Sequence, residues 1–215
     1  MAIIKKFSQI DTEVLKRLII MNFQQEVGKN VDWNDDLKFI IINFLKMING
    51  DPYQFLDPVT KKIITTNIPR SIFVAGGVGS GKTTLIKSLF KALKEYNVYY
   101  NTPIEETKYY FQNKIFSITD LMQMYCSDNY LPVTESVICI DDLPDKNVTF
   151  QYMGNKTDLE KFIQARYLFN YTFTYFTSNF PLSKNYLDLD ERTISRLNEM
   201  CAYYELKHED FRMIK

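Results

Sequence analysis

Residues 71–84 read SIFVAGGVGSGKTT, and this stretch decides the fold. The apolar run SIFVA is followed by GGVGSGKT, which fits G-x-x-x-x-G-K-[ST] without a gap, and then by the helical pattern TTLIKSLFKALKEY. Glycines let such a loop curl so that its backbone N–H groups point inward, and the helix N-terminus adds partial positive charge. The pattern therefore predicts a loop that binds the phosphates of a nucleotide.

We expect the whole loop to take part in this site. Lys82 would bridge the outer phosphates, and the Thr83 hydroxyl would ligate a Mg²⁺ ion held between them. An accidental glycine-rich turn is the alternative, and a dinucleotide site is disfavoured because the glycines do not spell G-x-G-x-x-G. The expected nucleotide-binding residues are Gly76, Gly77, Val78, Gly79, Ser80, Gly81, Lys82, Thr83 and Thr84.

A second element of the site is the run VICIDD at residues 137–142, an apolar strand that ends in two carboxylates. Asp141 would orient the metal ion beside the terminal phosphate. Asp142 would polarise the attacking water, which makes hydrolysis the expected reaction. Paired aspartates also begin turns, and the nearby Pro144 suits that alternative.

Asn179 follows another apolar run, FTYFTSN at residues 173–179. Strand ends of this kind lie at the sheet edge where open α/β sheets bind ligands, so Asn179 is expected to contact the water and the terminal phosphate. An asparagine that begins a turn before Pro181 is the alternative.

Arg192 and Arg196 lie four residues apart in DERTISRLNEM, residues 190–200, and so share one face of a predicted helix. They suit ordinary surface ion pairs. The functional alternative is an arginine that reaches the nucleotide of a neighbouring subunit, which requires an oligomer.

The rest of the chain predicts an α/β protein with a parallel sheet covered by helices on both faces. Helices are expected at about 11–27 and 35–48, and then at 82–96, 119–125, 157–169 and 191–200. Strands are expected at 71–75, 98–101, 136–140, 172–177 and 202–206. We divide the chain into a helical N-terminal extension, residues 1–60, as a possible partner-binding region, and an ATPase domain, residues 61–215.

Composition narrows the functional classes. The chain has 215 residues with 26 basic and 26 acidic side chains, so bulk positive charge cannot drive nucleic-acid binding. Cys126, Cys139 and Cys201 have no paired spacing for zinc or disulfides and are expected to be free thiols. No signal peptide or membrane-spanning run is recognisable, which predicts a soluble, cytoplasmic protein without membrane contact.

Five motifs together resemble the AAA+ ATPases of the DnaC type, the helicase loaders, with IstB and DnaA as relatives. They are GGVGSGKTT, VICIDD, NKTDLEKFIQARY, TSN and ERTISRLNEM, and the resemblance covers about residues 68–212. It implies a P-loop AAA+ fold with ATP and Mg²⁺ as cofactors. It assigns Gly81, Lys82 and Thr83 to Walker A, Asp141 and Asp142 to Walker B, Asn179 to sensor 1, Arg196 to the arginine finger with Arg192 as second choice, and Arg212 to a cis contact with the nucleotide.

The chain departs from the family at two points. Asp142 stands where many AAA+ proteins have glutamate. The shorter side chain is expected to affect the rate of hydrolysis and to leave nucleotide binding intact. The chain also ends about 145 residues after Pro69, so little or no helical lid is expected.

The resemblance implies an oligomeric ATPase that delivers a replicative DnaB-type helicase to single-stranded DNA. An IstB-like transposition helper, a small-molecule kinase and a non-catalytic adaptor are the alternatives. Aromatic residues interleaved with lysines at residues 91–111 could stack single-stranded bases, or could be core aromatics beside a solvated lysine stripe. These aromatic residues are Tyr96, Tyr99, Tyr100, Tyr109, Tyr110 and Phe111, and the lysines are Lys91, Lys94 and Lys108.

Overall fold

The structure is a computed structural model that describes residues 6–28, 33–101, 108–110, 114–126, 137–144, 146, 149–152, 155–168, 173–183, 185–207 and 211. The described helices are α1 (Thr12–Val27), α2 (Asp35–Asn49), α3 (Lys82–Glu95), α4 (Ile118–Cys126), α5 (Leu159–Leu168) and α6 (Glu191–Met200). The described strands are β1 (Lys6–Phe7), β2 (Tyr53–Leu56), β3 (Ile63–Thr66), β4 (Ser71–Gly76), β5 (Tyr99–Asn101), β6 (Lys108–Tyr110), β7 (Ile115–Ser117), β8 (Ile138–Leu143), β9 (Thr149–Tyr152), β10 (Asn155–Asp158), β11 (Thr174–Ser178) and β12 (Cys201–Leu206).

A seven-stranded sheet organises the fold, in the order β3-β2-β12-β4-β11-β8-β7. The strands from β12 to β7 are parallel, and the β2–β3 hairpin adds an antiparallel edge. Strand β11 pairs with β4 on one side and with β8 on the other. The loop after β11 therefore lies between the phosphate loop after β4 and the acidic end of β8.

Side chains of the central strands alternate between two hydrophobic layers. Ile72 and Val74 of β4 face a layer that contains the buried residues of α1, α2 and α3. Phe73 and Ala75 of the same strand face a layer that contains those of α5 and α6. Both faces of the sheet are covered, which explains why β4 reads as a nearly continuous apolar run. The predicted α/β class is confirmed.

Both N-terminal helices are confirmed, with local signals at their ends. Asp11 caps α1 by accepting hydrogen bonds from the backbone of Glu13 and Val14, and Gly28 ends the helix in the left-handed conformation. The apolar stripes of α1 and α2 are buried in the core layer that they share with α3. Residue 60 lies in the turn between the paired strands β2 and β3. The division of the chain at this residue stays a prediction.

One strand prediction is wrong. Residues 99–101 form β5, which pairs with β1 and β6 in a separate antiparallel sheet, not in the central one. The edge of the central sheet is instead β7, Ile115–Ser117, which pairs with β8. Both runs are short and rich in β-formers, and the sequence pattern does not say which of them meets β8.

Cys139 and Cys201 are free and buried, as predicted, and burial is the main reason that their pKa values are raised. The side chain of Cys126 lies outside the description. No helix in the described part of the chain has the length and apolar character needed to cross a bilayer.

Candidate nucleotide site

The phosphate loop connects β4 to α3 at the carboxyl edge of the sheet. Gly81 begins α3 with a φ of 89°, a left-handed conformation that favours glycine. A Cβ atom at Gly76 would lie 2.5 Å from the Leu206 carbonyl oxygen, so the end of β4 approaches β12 too closely for a side chain. Glycine at these two positions is therefore required by the backbone.

Lys82 is held at the centre of the loop. It is 6% exposed, and its Nζ donates hydrogen bonds of 2.8 Å to the carbonyl oxygens of Gly76 and Gly77 and to Oδ1 of Asn179. The contact with Asn179 joins the first turn of α3 to the end of β11. Lys82 and Asn179, 97 positions apart in sequence, are thus neighbours, as the motifs predict.

The two aspartates complete the cluster. Oδ1 of Asp141 accepts hydrogen bonds of 2.7 Å from the hydroxyls of Thr83 and Thr177. Oδ1 of Asp142 accepts one of 2.8 Å from Nδ2 of Asn179. Since Asn179 Oδ1 also accepts from Lys82, its amide bridges the lysine and the second carboxylate. The predicted site residues of three separate segments therefore meet in one hydrogen-bonded cluster.

The strand that carries the two aspartates extends further than the predicted strand at 136–140. Strand β8 continues past both aspartates to Leu143. Phe176 of β11 pairs with Ile140, whereas Ser178 pairs with Leu143. One extra residue is thus accommodated on β8 at Asp141 and Asp142, which is a β-bulge. Asp142 has a φ of 58°, an uncommon value for a residue with a side chain.

Thr177 is a site residue that the sequence analysis missed. Its hydroxyl donates to Asp141 Oδ1 and accepts the backbone N–H of Asp142 at 2.8 Å. Its sequence signal is its place as the first residue of the TSN motif, two residues before Asn179, in a buried strand where an apolar residue is equally suitable. The bulge opposite it gives the hydroxyl its role.

A cavity of about 400 Å³ opens beside the loop, lined by Glu26, Val27, Gly79, Gly81, Lys82, Thr83, Thr84 and Phe211. The end of α1 therefore forms part of its wall. Phe211 donates its backbone N–H to the Gly79 carbonyl at 3.0 Å, and its ring lies 2.9 Å from where a Gly81 Cβ would be. Sequence patterns do not foresee this long-range contact between the C-terminal region and the loop.

The residues present fit a magnesium nucleotide. Ser80 is fully buried within the loop, and its Oγ has no hydrogen-bond partner among the residues that the structure describes, so it can donate to a phosphate oxygen. Thr83 and Asp141 offer hydroxyl and carboxylate oxygens, the ligand type that Mg²⁺ prefers.

The predicted arginines are not part of this cluster. The Arg196 guanidinium lies 5.1 Å from the centre of the Tyr167 ring, on the layer where α6 packs against α5 and β12. Arg192 is exposed on the same helix. The proposed cis contact of Arg212 lies outside the described residues.

The DnaC helicase loader and DnaA are among the solved structures that match this chain. The crystal structure of the DnaC helicase loader is 17% identical, with a TM-score of 0.50, and the match covers 89% of this chain and 99% of that one. AMPPCP-bound DnaA from Aquifex aeolicus is 18% identical, with a TM-score of 0.43, over 66% of this chain and 42% of that one. No protein-family model and no curated protein matches. The sheet, the helices on both its faces and the likeness to DnaC lead to one conclusion: the chain has a P-loop α/β fold similar to that of the DnaC helicase loader.

Proposed function

We propose that the chain is a Mg²⁺-dependent ATPase of the helicase-loader type, which works as an oligomeric switch in the cytoplasm. The supporting observation is the hydrogen-bonded cluster at the carboxyl edge of the sheet. There, Lys82 is linked through Asn179 to Asp142, and Thr83 is linked to Asp141. A phosphate loop beside a metal-binding acid and a second acid is the arrangement that cleavage of a terminal phosphate needs.

In this proposal each residue has a distinct task. Lys82 and the loop N–H groups hold the phosphates, while Thr83 and Asp141 hold the metal ion. Bound Mg²⁺ supplies charge neutralisation on the phosphate oxygens. Asp142 accepts the proton of the attacking water, and Asn179 orients that carboxylate through its amide N–H.

The cavity beside the loop is proposed to take the base and ribose. Val27 and Phe211 offer apolar surface for the base, and the exposed carboxylate of Glu26 can accept hydrogen bonds from a base amino group. Because Glu26 and Val27 belong to α1, an occupied site would contact the N-terminal helices directly. This contact offers a route by which nucleotide state is communicated to a partner on that side.

A neighbouring subunit would complete the site with Arg196, or with Arg192 as the second choice. Within its own chain the Arg196 guanidinium lies over the Tyr167 ring, on the layer where α6 packs against α5 and β12, so the proposed finger role is assigned to the site of an adjacent subunit. The likeness to a helicase loader supports a DnaB-type helicase as the protein partner and single-stranded DNA as the nucleic acid that is bound. The β5–β6 pair sets Tyr99 opposite Tyr110 and Tyr100 opposite Tyr109 in backbone register, and base stacking by these tyrosines is part of the proposal.

Phosphate release from ATP and Mg²⁺ without any added acceptor tests the reaction. We expect turnover that rises more steeply than protein concentration and is stimulated by single-stranded DNA. A small-molecule kinase would release almost no phosphate in this assay. An IstB-like helper would hydrolyse ATP but would not associate with a DnaB-type helicase in sedimentation experiments with and without nucleotide.

The variant Asp142→Asn tests the proton acceptor. It should bind ATP with nearly wild-type affinity and lose turnover by roughly 100-fold or more. Asp35→Asn is the matched control, since Asp35 is fully exposed in the first turn of α2. Normal turnover by Asp142→Asn would show that Asp142 is not the proton acceptor, whereas unchanged partner recruitment and function despite lost turnover would favour the non-catalytic adaptor.

A further inference from the structure

We infer that Thr177 is a positioning residue that holds both carboxylates of the site in their working orientation. The inference rests on the proposed ATPase function and deepens it. Thr177 is fully buried, and its side chain lies between the backbone of β8 and the carboxylate that would bind the metal ion. Its hydroxyl is hydrogen-bonded to Asp141 and Asp142, so its effect is exerted through these two residues.

A single hydroxyl serves both aspartates. Thr177 Oγ1 donates its one proton to Asp141 Oδ1 at 2.7 Å, and its lone pairs accept the Asp142 N–H at 2.8 Å. The hydroxyl therefore fixes a side-chain oxygen of one acid and the backbone of the next. Neither contact can be replaced by a neighbouring apolar group.

The bulge in β8 explains why a hydroxyl is needed at this position. Ladder pairing is interrupted between Ile140 and Leu143, so Asp142 needs a hydrogen-bond acceptor from outside the regular ladder. Thr177 provides that acceptor. The same contact, together with the Asn179 amide on the side chain, stabilises Asp142 in its left-handed conformation. In this conformation the carboxylate of Asp142 accepts the Asn179 amide N–H.

The next hydroxyl along the strand has a different task. Ser178 Oγ donates to the Leu143 carbonyl at 3.1 Å and accepts the Phe180 N–H at 3.1 Å. These contacts hold the end of β11 without touching either aspartate. Thr174, at the opposite end of β11, accepts from Arg166 Nε at 2.8 Å and is as deeply buried as Thr177. Thr174→Val is therefore a matched control for the loss of a buried threonine hydroxyl.

The first measurement does not depend on turnover. Amide hydrogen exchange at Asp142 should be roughly tenfold faster in Thr177→Val than in the wild type, because its acceptor is lost. Thr177→Ser, which keeps the hydroxyl, should restore protection. Thr174→Val should leave exchange at Asp142 unchanged. If Thr177→Val does not fold, Thr177→Ala is compared with Thr177→Ser, a pair that differs only by the hydroxyl.

The second measurement separates binding from turnover. In Thr177→Val the kcat should fall roughly 10- to 100-fold, with KM changed less than about threefold, since the phosphate loop is intact. The Mg²⁺-dependent gain in AMPPCP affinity should shrink, while affinity without Mg²⁺ stays the same. Thr177→Ser should recover most of the turnover.

Wild-type exchange, kcat and Mg²⁺ dependence in folded Thr177→Val would overturn the inference. An equal loss in Thr174→Val would also overturn it, because the effect would then come from general weakening of β11. A wild-type protein that neither binds AMPPCP nor releases phosphate would instead refute the proposed function. The exchange data would still decide whether Thr177 holds the bulge.

Discussion

The carboxyl edge of the central strands and helix α6 both carry predicted catalytic residues, and they differ in what surrounds those residues. At the sheet edge, Lys82 is buried and joined to Asn179, which in turn contacts Asp142. On α6, Arg196 stacks on Tyr167 of the same surface layer. One half of the proposed machinery is thus assembled within the chain, whereas the other half needs a second chain to become part of a site.

The largest effect is expected at the assembled half. Lys82→Ala should abolish turnover and weaken ATP binding roughly 100-fold, because charge-assisted contacts with the phosphates are lost. Calorimetry measures the affinity, and thermal unfolding shows whether the loop remains folded. Lys87→Ala, at an exposed position on the same helix, should behave like the wild type. Unchanged ATP affinity in Lys82→Ala would mean that this edge is not the phosphate site.

Arg196→Ala tests the half on α6. It should retain ATP affinity within about threefold and lose turnover by roughly 10³-fold, the range reported for arginine fingers. Phosphate release and nucleotide titration measure the two quantities separately. Mixing this variant with Asp142→Asn should restore some activity, because one kind of mixed interface combines an intact acid with an intact arginine.

Arg192→Ala is the matched control for this experiment. If it loses turnover and Arg196→Ala does not, the finger is Arg192. Normal hydrolysis by Arg196→Ala and Arg192→Ala would show that α6 supplies no catalytic arginine. Only the residues at the sheet edge would then remain as predicted catalytic residues.

A smaller effect is expected at the cap of α6. Asp190 accepts a hydrogen bond from the Thr193 N–H at the helix start, so Asp190→Ala should cost about 1 kcal/mol of the free energy of unfolding. Hydrogen bonding with Thr193 lowers the pKa of Asp190 below its ordinary value of 3.8. The ionised cap therefore stabilises the fold above about pH 4, and this contribution disappears as the pH falls through the lowered pKa.

Denaturant unfolding of the wild type and of Asp190→Ala between pH 2 and pH 7 measures what the cap contributes to the free energy of unfolding. The difference between the wild type and Asp190→Ala should be largest near neutrality and should shrink in acid. Asp188→Ala, at an exposed site two residues earlier, should show little difference at any pH. A pH-independent difference would assign the effect of Asp190 to something other than its charge.

The smallest effect is expected for Tyr167→Phe. The Tyr167 hydroxyl donates to Glu199 Oε2 at 2.6 Å at an exposed position, and the pKa of Tyr167 is raised chiefly by this contact. Phenylalanine keeps the ring under Arg196, so stability should change by less than about 0.5 kcal/mol and turnover by less than about twofold. A loss comparable to that of Thr177→Val would show that the surface layer is as strictly organised as the sheet edge.

Local patterns explain how much of the fold was predictable. The glycine motif predicted the loop before α3, because the backbone conformation of that loop depends on glycines that are close together in the sequence. The structure also places local signals at helix ends, with Asp11 and Asp190 as N-caps and Gly50 as a C-cap. The choice between β5 and β7 for the sheet edge was not predictable, since strand pairing is decided by contacts between residues far apart in sequence.

The candidate site, like the fold, was predictable in part from the sequence. Lys82, Asp141, Asp142 and Asn179 were found from motif and position, and the fold brings them together. The role of Thr177 was not found, because a threonine in a buried strand has no local mark of function. Its task arises from a bulge on the neighbouring strand.

The sequence by itself determined the phosphate loop, the alternation of strands and helices and the identity of the acids, because these depend on the conformational preferences of adjacent residues. Only the tertiary structure decided that β11 lies between β4 and β8 and that the end of α1 and Phe211 border the cavity beside the phosphate loop. It also decided that Arg196 on α6 lies over the Tyr167 ring of α5. The physical reason is that these features come from packing between distant segments, where burial and hydrogen bonding of the whole chain select one arrangement among several that local preferences allow.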